Sequence, residues 1–370
     1  MGIKKFKLLS FLLLLSVSVL GQNGNEDSTK ANVLKEYNIA LVLPFNSEGV
    51  RGKLSEVILD YYVGFKLGVK HASIDGFRGN LYVFDHLKDS ASFDQILHHS
   101  DLAKMDIIVG PVYEKALKIM SHYCDSTRQI LVSPLRYFKN EYNSNPVINF
   151  FPSDEIQVQS VIDKITEKHP NHTFYVAGDI SNESQKLARI ITGALRLKDV
   201  TLGKHALILN NGALSREIQQ NDSAIIISSS TNQGMQIAME RALKNKDISF
   251  GIAHFNVHKK TKEFKLFEKI LFPDLYHYNR TDSSSKQFFR KFKIDQLGSP
   301  SKYASIGYDQ STYLAFSLMT YGVDFTNLLP GGIYQGIRNR VLLKPDPNGN
   351  ISNYGMFFYK HYSDYNELVE

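Results

Sequence analysis

Short apolar runs alternate with helical patterns along most of this chain, and this alternation restricts the fold more than any other feature. Residues 39–45 (IALVLPF) form a continuous apolar run, which is typical of a strand buried on both faces of a sheet. Residues 54–72 follow with apolar side chains at helical spacing, and residues 81–84 form the next strand-like run. Strands and helices that alternate at this spacing predict βαβ units, and therefore a parallel sheet covered by helices on both faces.

The alternation begins a second time after residue 152. Residues 152–155 (PSDE) have the pattern of a helix N-terminus, with Ser153 or Asp154 as the cap. The sequence therefore predicts two consecutive α/β sheets. The strand-like runs of the second set lie at 173–177, 205–209, 224–227, 249–255 and 275–278.

The last part of the chain carries a different pattern. Residues 283–294 and 303–321 are strongly helical, and two strand-like runs, 338–343 and 354–362, flank PDPNGN at 345–350. Proline, aspartate, asparagine and glycine in one short segment favour a tight turn. We therefore predict a hairpin there and not another βαβ unit.

The N-terminus has the three parts of a cleavable secretory signal. Lys4, Lys5 and Lys7 form a basic head, residues 8–20 form an apolar stretch, and Gly21 supplies a small residue at its exit. This apolar stretch is shorter than the roughly 20 residues that a membrane-spanning helix needs, so cleavage is favoured over an anchor.

We assign residues 1–21 to the signal peptide and residues 22–36, which are polar, to a flexible lead-in. We expect the mature chain in a bacterial periplasm. No cysteine lies near the cleavage point, so a lipoprotein is not expected, and no later stretch is apolar enough to span a membrane. The single cysteine, Cys124, allows no intramolecular disulfide, so the core alone must hold the fold.

Neither charge nor motifs indicate nucleic-acid binding or catalysis. The formal net charge is +6, and three of the positive charges lie in the signal peptide. The chain has no glycine-rich phosphate loop and no Gly-X-Ser-X-Gly elbow. Cys124 lies on the apolar face of a predicted helix, and His254 and His258 have no nearby carboxylate to complete a metal site. We predict a protein that is not an enzyme and that carries no cofactor, no metal and no nucleic acid.

Four segments in order resemble one known family. They are IALVLPF with the helix LDYYVGFKLGVKHA, DIIVGPVY, ILVSPL with NFFPSDEIQVQSV, and YASIGYDQSTYLAFSLMTYG. Together they resemble the type I periplasmic-binding-protein fold, the receptor-ligand-binding region of proteins similar to the Leu-Ile-Val-binding protein. The C-terminal GIRNRVLLKPDPNGNISNYGMFFYKHY is similar to a Bacteroidetes subgroup in which LysM modules often precede this domain. Here residues 22–36 are too short to hold a LysM module.

The resemblance implies two Rossmann-like lobes, with parallel sheets flanked by helices, joined by three crossovers near residues 152, 281 and 329. A hinge of this kind closes two lobes over a ligand. The implied boundaries are 37–152 plus 282–328 for lobe 1, and 153–281 plus 329–370 for lobe 2.

Ligands of such sheets bind at the carboxyl ends of the strands, where the loops of both lobes converge. Each candidate is also a residue type common in turns and caps for local reasons alone. From lobe 1 the candidates are Phe45, Asn46, Asp85, Tyr113, Ser133, Pro134 and Leu135. From lobe 2 they are Asp179, Ser181 and Ser229, and the returning helix adds Tyr308 and Asp309.

One departure from the family pattern bears on the ligand. Amino-acid binders of this fold usually carry small hydroxyl residues in the loops after the third and fourth strands, where they hold the ligand's carboxylate. This chain has bulky or charged residues there, at 112–114 (VYE) and 134–136 (PLR). The resemblance therefore predicts a pocket that these side chains fill in part.

Two functions of different kinds fit these patterns. The first is an exported solute-binding or sensor protein that closes on a small ligand, such as an amino acid, a peptide or a cell-wall fragment. The second is a cell-envelope scaffold or regulator, peptidoglycan-related or part of an outer-membrane complex, that uses the same fold to bind a protein partner.

Overall fold

The computed structural model describes the chain from residue 35 to 369 with several gaps. The described residues are 35–47, 49, 52–87, 90–140, 145–208, 216, 223–230, 252–253, 270–279, 281–296, 298–329, 331–361 and 366–369. The predicted signal peptide and most of the lead-in lie outside them.

Strands and helices alternate through the first half, as the apolar runs predict. The strands are β1 Tyr37–Leu43, β2 Gly79–Asp85, β3 Ile107–Val109, β4 Ile130–Ser133, β5 Val147–Asn149, β6 Thr173–Ala177, β7 Thr201–Ile208, β8 Ala224–Ser228, β9 Ile252–Ala253, β10 Ile270–Asp274, β11 Tyr334–Gln335, β12 Arg340–Val341, β13 Leu343–Pro345, β14 Ile351–Asn353, β15 Phe357–His361 and β16 Asn366–Leu368. The helices are α1 Lys53–Ile74, α2 Ser90–Leu97, α3 Glu114–Thr127, α4 Asp154–Lys168, α5 Asn182–Arg196, α6 Ser283–Gln296, α7 Lys302–Tyr321 and α8 Phe325–Leu328, with short 3-10 turns at Leu102–Lys104 and Gly322–Asp324.

The largest sheet within the described residues has the strand order β13-β14-β5-β4-β3-β1-β2. Its pairs are parallel except for β13 with β14. The central strands are buried on both faces, since residues 39–43 of β1 and all of β3 expose 1% of their surface or less. The expected parallel sheet with helices on both faces is confirmed, because α1 and α7 pack on one face of β1 and α3 packs on the other.

Three further sheets are present in the described chain, and one of them is the antiparallel pair β11-β12. Another has the order β7-β6-β8 and is parallel, as predicted. The third has the order β16-β15-β10-β9 and is mixed, since β10 is parallel to β9 and antiparallel to β15. The predicted strand at 275–278 is replaced by β10, which ends at Asp274.

The predicted hairpin forms, but around a tighter turn and in another sheet. Asp346 accepts hydrogen bonds from the backbone N–H groups of Asn348 and Asn350, and Gly349 takes a left-handed conformation with φ 76°. The strands therefore start directly beside the turn, as β13 and β14. Since β14 pairs with β5, residues 343–353 lie in the first sheet. The lobe boundaries stay a prediction.

Helices α1 and α7 lie in close backbone contact. Gly64 faces the backbone of Ala304, and Gly307 faces the carbonyl of Tyr61, with no room for a Cβ at either glycine. Small residues at these positions let the two helix backbones touch. The returning helix is thereby locked onto the helix that follows β1, which joins residues far apart in sequence.

Serine caps fix where three helices begin. Ser153 accepts from the N–H of Ile156 at the start of α4, Ser181 from Ser184 at α5, and Ser301 from Tyr303 and Ala304 at α7. A side-chain oxygen here satisfies a backbone donor that has no partner within the helix. Of the two caps predicted for α4, Ser153 is the one that the structure uses.

Candidate functional site

Asp85 organises the loop after β1. Its carboxylate accepts hydrogen bonds from the backbone N–H groups of Phe45 at 2.9 Å, Asn46 at 3.1 Å and Ser47 at 2.8 Å, and from the Ser47 hydroxyl at 2.6 Å. Burial favours a higher pKa for Asp85, but the hydrogen bonds outweigh it and lower the pKa. Three predicted residues are therefore brought together, and the carboxylate serves to hold the loop.

Removing this carboxylate should loosen the loop and lower stability. We expect Asp85→Ala to reduce the free energy of unfolding by about 2 kcal/mol at pH 7, since several backbone donors lose their acceptor in a partly exposed site. Chemical denaturation measures this, with Asp94→Ala on the exposed face of α2 as the control. An Asp85→Ala protein as stable as the wild type would show that water replaces the carboxylate without cost.

The loops after β3 and β4 are joined by an ion pair. Arg136 donates from Nη2 to Oε2 of Glu114 at 2.8 Å, at the surface, where the two side chains are 40% and 74% exposed. The ring of Tyr113 stands edge-on to the ring of His86 at 5.3 Å. Leu135 is half-buried against the core of the first sheet. The bulky residues predicted at these two loops therefore contact the fold and each other.

Ser133 and Pro134 have polar partners within the fold. The Ser133 hydroxyl donates to the carbonyl of Arg136 at 2.8 Å, and the carbonyl of Pro134 accepts from the Gln310 amide at 2.8 Å. Gln310 also accepts from the Tyr61 hydroxyl at 2.7 Å, which ties this loop to α1 and α7. Ser133 therefore acts as a turn residue in this conformation.

The ends of β6 and β8 form a second polar cluster. Asp179 accepts from the backbone N–H of Ser181 at 2.8 Å and from the Ser230 hydroxyl. The hydroxyl of Ser229 lies 3.0 Å from that of Ser184. Burial favours a higher pKa for Asp179, but the bonds from Ser181 and Ser230 lower it. The three residues predicted for lobe 2 therefore lie together, as parallel strand ends should.

Solved structures with this architecture include transporter proteins and a regulator of PBP1A. An ABC-type branched-chain amino acid transporter protein from Rhodopseudomonas palustris matches with a TM-score of 0.61 and 11% identity, over 90% of this chain and 95% of that chain. An ABC transporter substrate-binding protein from Desulfitobacterium hafniense, in complex with Leu, matches with a TM-score of 0.54 and 17% identity, over 90% and 100%. The C-domain of LpoA from Haemophilus influenzae, a regulator of PBP1A, matches with a TM-score of 0.58 and 16% identity, over 90% and 100%.

This chain has the type I periplasmic-binding-protein fold. The resemblance of its four sequence segments to that fold is confirmed. No protein-family model matches the chain, and no curated protein sequence matches it significantly.

The two predicted residues on α7 lie away from the strand-end loops of the periplasmic-binding-protein fold. Asp309 is fully buried, and its carboxylate accepts from the backbone N–H groups of Ile337 at 2.6 Å, Arg338 at 2.8 Å and Asn339 at 2.9 Å. Tyr308 bonds through its hydroxyl to His71 on α1. Asp309 thus fixes the turn between β11 and β12, and Tyr308 lies beside a cavity described below.

The side chains that hydrogen-bond or pair with the predicted loops were not identified from the sequence. From the sequence, Glu114 and Arg136 are recognisable as bulky or charged residues. Their ion pair could also have been predicted, because opposite charges follow neighbouring parallel strands. Gln310, beside the predicted Asp309, reaches the loop after β4, and no local pattern indicates this.

The described residues contain neither a metal-ligand cluster nor a membrane-spanning helix. No group of three His, Cys, Asp or Glu side chains that could hold a metal ion is found there. Cys124 is buried, and burial raises the pKa of its thiol. None of the described helices is long and apolar enough to cross a membrane.

Proposed function

We propose that this protein is an exported, non-catalytic binding module that uses the periplasmic-binding-protein fold as a scaffold for a protein partner in the cell envelope. One fact about the fold and one about the sequence support this proposal. Its solved neighbours include substrate-binding proteins of transporters, and they also include LpoA, a regulator of PBP1A. The N-terminal pattern of basic head, apolar stretch and small-residue exit supports export by a cleaved signal.

The ion pair between Glu114 and Arg136 is the observation that carries the proposal. It bridges the loops after β3 and β4 at 2.8 Å. An amino-acid ligand of this fold would have its carboxylate bound at those loops by small hydroxyl groups. Here Glu114 already pairs with Arg136, while Tyr113 and Leu135 pack against the fold. A free amino acid would have to break this arrangement.

A small solute remains the second candidate, and the cluster at the ends of β6 and β8 favours it. Asp179 and Ser181 lie there with the hydroxyl groups of Ser229 and Ser230. Ser229 and Ser230 are buried, but Ser181 is exposed and Asp179 half-buried, so a ligand that approaches this edge meets one carboxylate and the Ser181 hydroxyl. Closure of two lobes would be the motion that such a ligand drives.

We expect leucine to leave the thermal stability of this protein unchanged. A ligand present at a hundred times its dissociation constant stabilises the folded state by about 2.7 kcal/mol, which a thermal-unfolding scan detects readily. Other amino acids, sugars and muropeptides complete the series. A clear upward shift in the unfolding temperature with one of these solutes would favour the second candidate.

Site-specific photo-crosslinking in cells tests the partner directly. Ile180 is an apolar side chain that is 83% exposed between Asp179 and Ser181, at the N-terminal end of α5. Leu197 is 81% exposed at the other end of the same helix and gives a matched control. We expect a photo-crosslinking residue at position 180, and not at 197, to capture one defined envelope protein. Equal or absent capture at both positions would count against the scaffold.

A further inference from the structure

A cavity of about 610 Å³ lies between the C-terminal half of α1, helices α6 and α7, and strands β11, β12 and β15. Such a volume is in the usual range for small-molecule sites, roughly 300–1,000 Å³. Tyr308 is the predicted site residue that lines it. Since α1 begins after the carboxyl end of β1, this half of the helix lies toward the opposite edge of the sheet from the strand-end loops. The cavity is therefore a separate site.

The floor of the cavity is apolar and aromatic. Phe288 from α6, Ile337 from the turn after β11 and Phe357 from β15 are 2%, 6% and 1% exposed. The rings of Phe288 and Tyr308 pack with centroids 4.7 Å apart. Tyr334 adds a fourth aromatic ring to the wall. Tyr334 is half-buried while the other three rings are buried, so it is the ring against which a planar ligand can stack, and the packed rings beneath it hold the wall in place.

Two imidazoles line the same cavity, and each is held by a tyrosine. His71 Nδ1 bonds to the Tyr308 hydroxyl, and His277 Nδ1 bonds to the Tyr359 hydroxyl. Burial lowers the pKa of His277, so this ring is neutral at pH 7. The neutral imidazole of His277 supplies hydrogen-bonding capacity to the aromatic wall without adding charge.

The charges around the cavity balance. Three cations and three carboxylates line it, and several of them have partners. Lys70 pairs with Asp295 across α1 and α6 at 3.6 Å, and Asp282 accepts from the backbone N–H of Ser285 at the start of α6. The Arg340 guanidinium lies 4.5 Å from the Phe357 ring centroid and donates to the carbonyl of Met356. A ligand with net charge would gain little here for the cost of leaving water.

We propose that this cavity is a second binding site, which takes a small molecule that carries an aromatic ring and has no net charge. The aromatic floor selects the ligand's ring, and the two imidazoles bond to the ligand's polar groups. The equal numbers of positive and negative side chains around the cavity disfavour a charged ligand. This site does not depend on the protein partner proposed above.

The absence of tryptophan from the chain gives a direct assay. N-acetyltryptophanamide is a neutral aromatic amide, and its indole is the sole indole fluorophore when it is mixed with the purified protein. We expect its emission to shift to shorter wavelength and to saturate as protein is added, because the indole leaves water. Indole-3-acetate, which is similar in shape but anionic, should bind at least about tenfold more weakly. No saturable shift up to millimolar protein, or equal binding of the anion, would overturn the proposal.

Matched variants locate the bound indole. Thr312 lines the cavity, so Thr312→Phe should weaken binding about tenfold or more by filling it, while Thr312→Val keeps the volume and should bind as the wild type does. Should Thr312→Phe fail to fold, Ser284→Phe at the exposed rim gives the same test, with the adjacent exposed Ser283→Phe as its control. Binding that is unchanged in a folded cavity variant would place the indole elsewhere and refute the assignment.

Discussion

Replacing Asp309 with alanine is expected to lower the free energy of unfolding by about 4 kcal/mol at pH 5. Three backbone N–H groups between residues 337 and 339 would lose their acceptor in a fully buried position, and each unsatisfied buried donor costs about 1–3 kcal/mol. Chemical denaturation followed by circular dichroism measures the loss. Asp163→Ala on an exposed face of α4 serves as the control and should change stability by about 0.5 kcal/mol or less.

The same residue should also give the protein a distinctive pH dependence. Burial raises the pKa of Asp309 from 3.8 to about 7, against the opposing effect of the backbone hydrogen bonds. Between these two values the folded protein keeps a proton that the unfolded chain has released. The contribution of Asp309 to the free energy of unfolding is therefore largest below pH 4 and falls as the pH rises to about 7.

Asp309→Asn isolates this effect, because other titrating groups are common to both proteins. From pH 4 to pH 7 the wild type should lose roughly 4 kcal/mol of stability relative to Asp309→Asn. Asp85 and Asp179 act in another window, since their lowered pKa values remove stability only at acid pH, below about 4. Parallel stability curves for the wild type and Asp309→Asn would contradict the assignment to Asp309.

Gly307→Ala is expected to destabilise the protein by about 3 kcal/mol or more. A Cβ at this position would overlap the carbonyl of Tyr61 and approach the backbone of Phe65, so α1 and α7 would have to separate. Overpacking a well-fitted core costs typically about 1–3 kcal/mol, and backbone atoms yield less readily than side chains. Thermal or chemical denaturation checks the loss.

Gly193→Ala in α5 is the matched control, because a Cβ there meets nothing within 4 Å. This change should raise stability by about 0.5–1 kcal/mol, since alanine favours a helix over glycine. The opposite signs of the two substitutions would separate helix–helix contact from helix propensity. If Gly307→Ala also stabilised the protein, the close packing of α1 on α7 would be refuted.

The local part of the fold could be predicted from the sequence. The apolar run of β1 predicts a strand buried on both faces, and the amphipathic spacing of α1 predicts the helix beside it. The place of the hairpin in the first sheet could not be predicted, because β14 pairs with β5 across most of the chain. Hydrophobic pattern fixes which face of a strand is buried but does not name its neighbour.

In the candidate site too, the local features could be predicted and the long-range contacts could not. The predicted strand ends place Asp85 and Asp179 at the edge of a sheet, and the structure has them there, since β2 ends at Asp85 and β6 ends two residues before Asp179. The partners of these carboxylates were not predictable beyond the local turn. Asp309 is the clearest case, because its acceptor role depends on a turn at residues 337–339 that no local signal connects to α7.

The late strands of the first sheet have a consequence for the order of folding. The Asn350 side chain, beside β14, accepts from the backbone N–H of Val147, at a separation of 203 positions, and α7 must reach back to α1 across a similar length. Contacts of such long range form slowly, because a large loop must close first. During synthesis the first sheet stays open at β5 until residues 351–353 emerge.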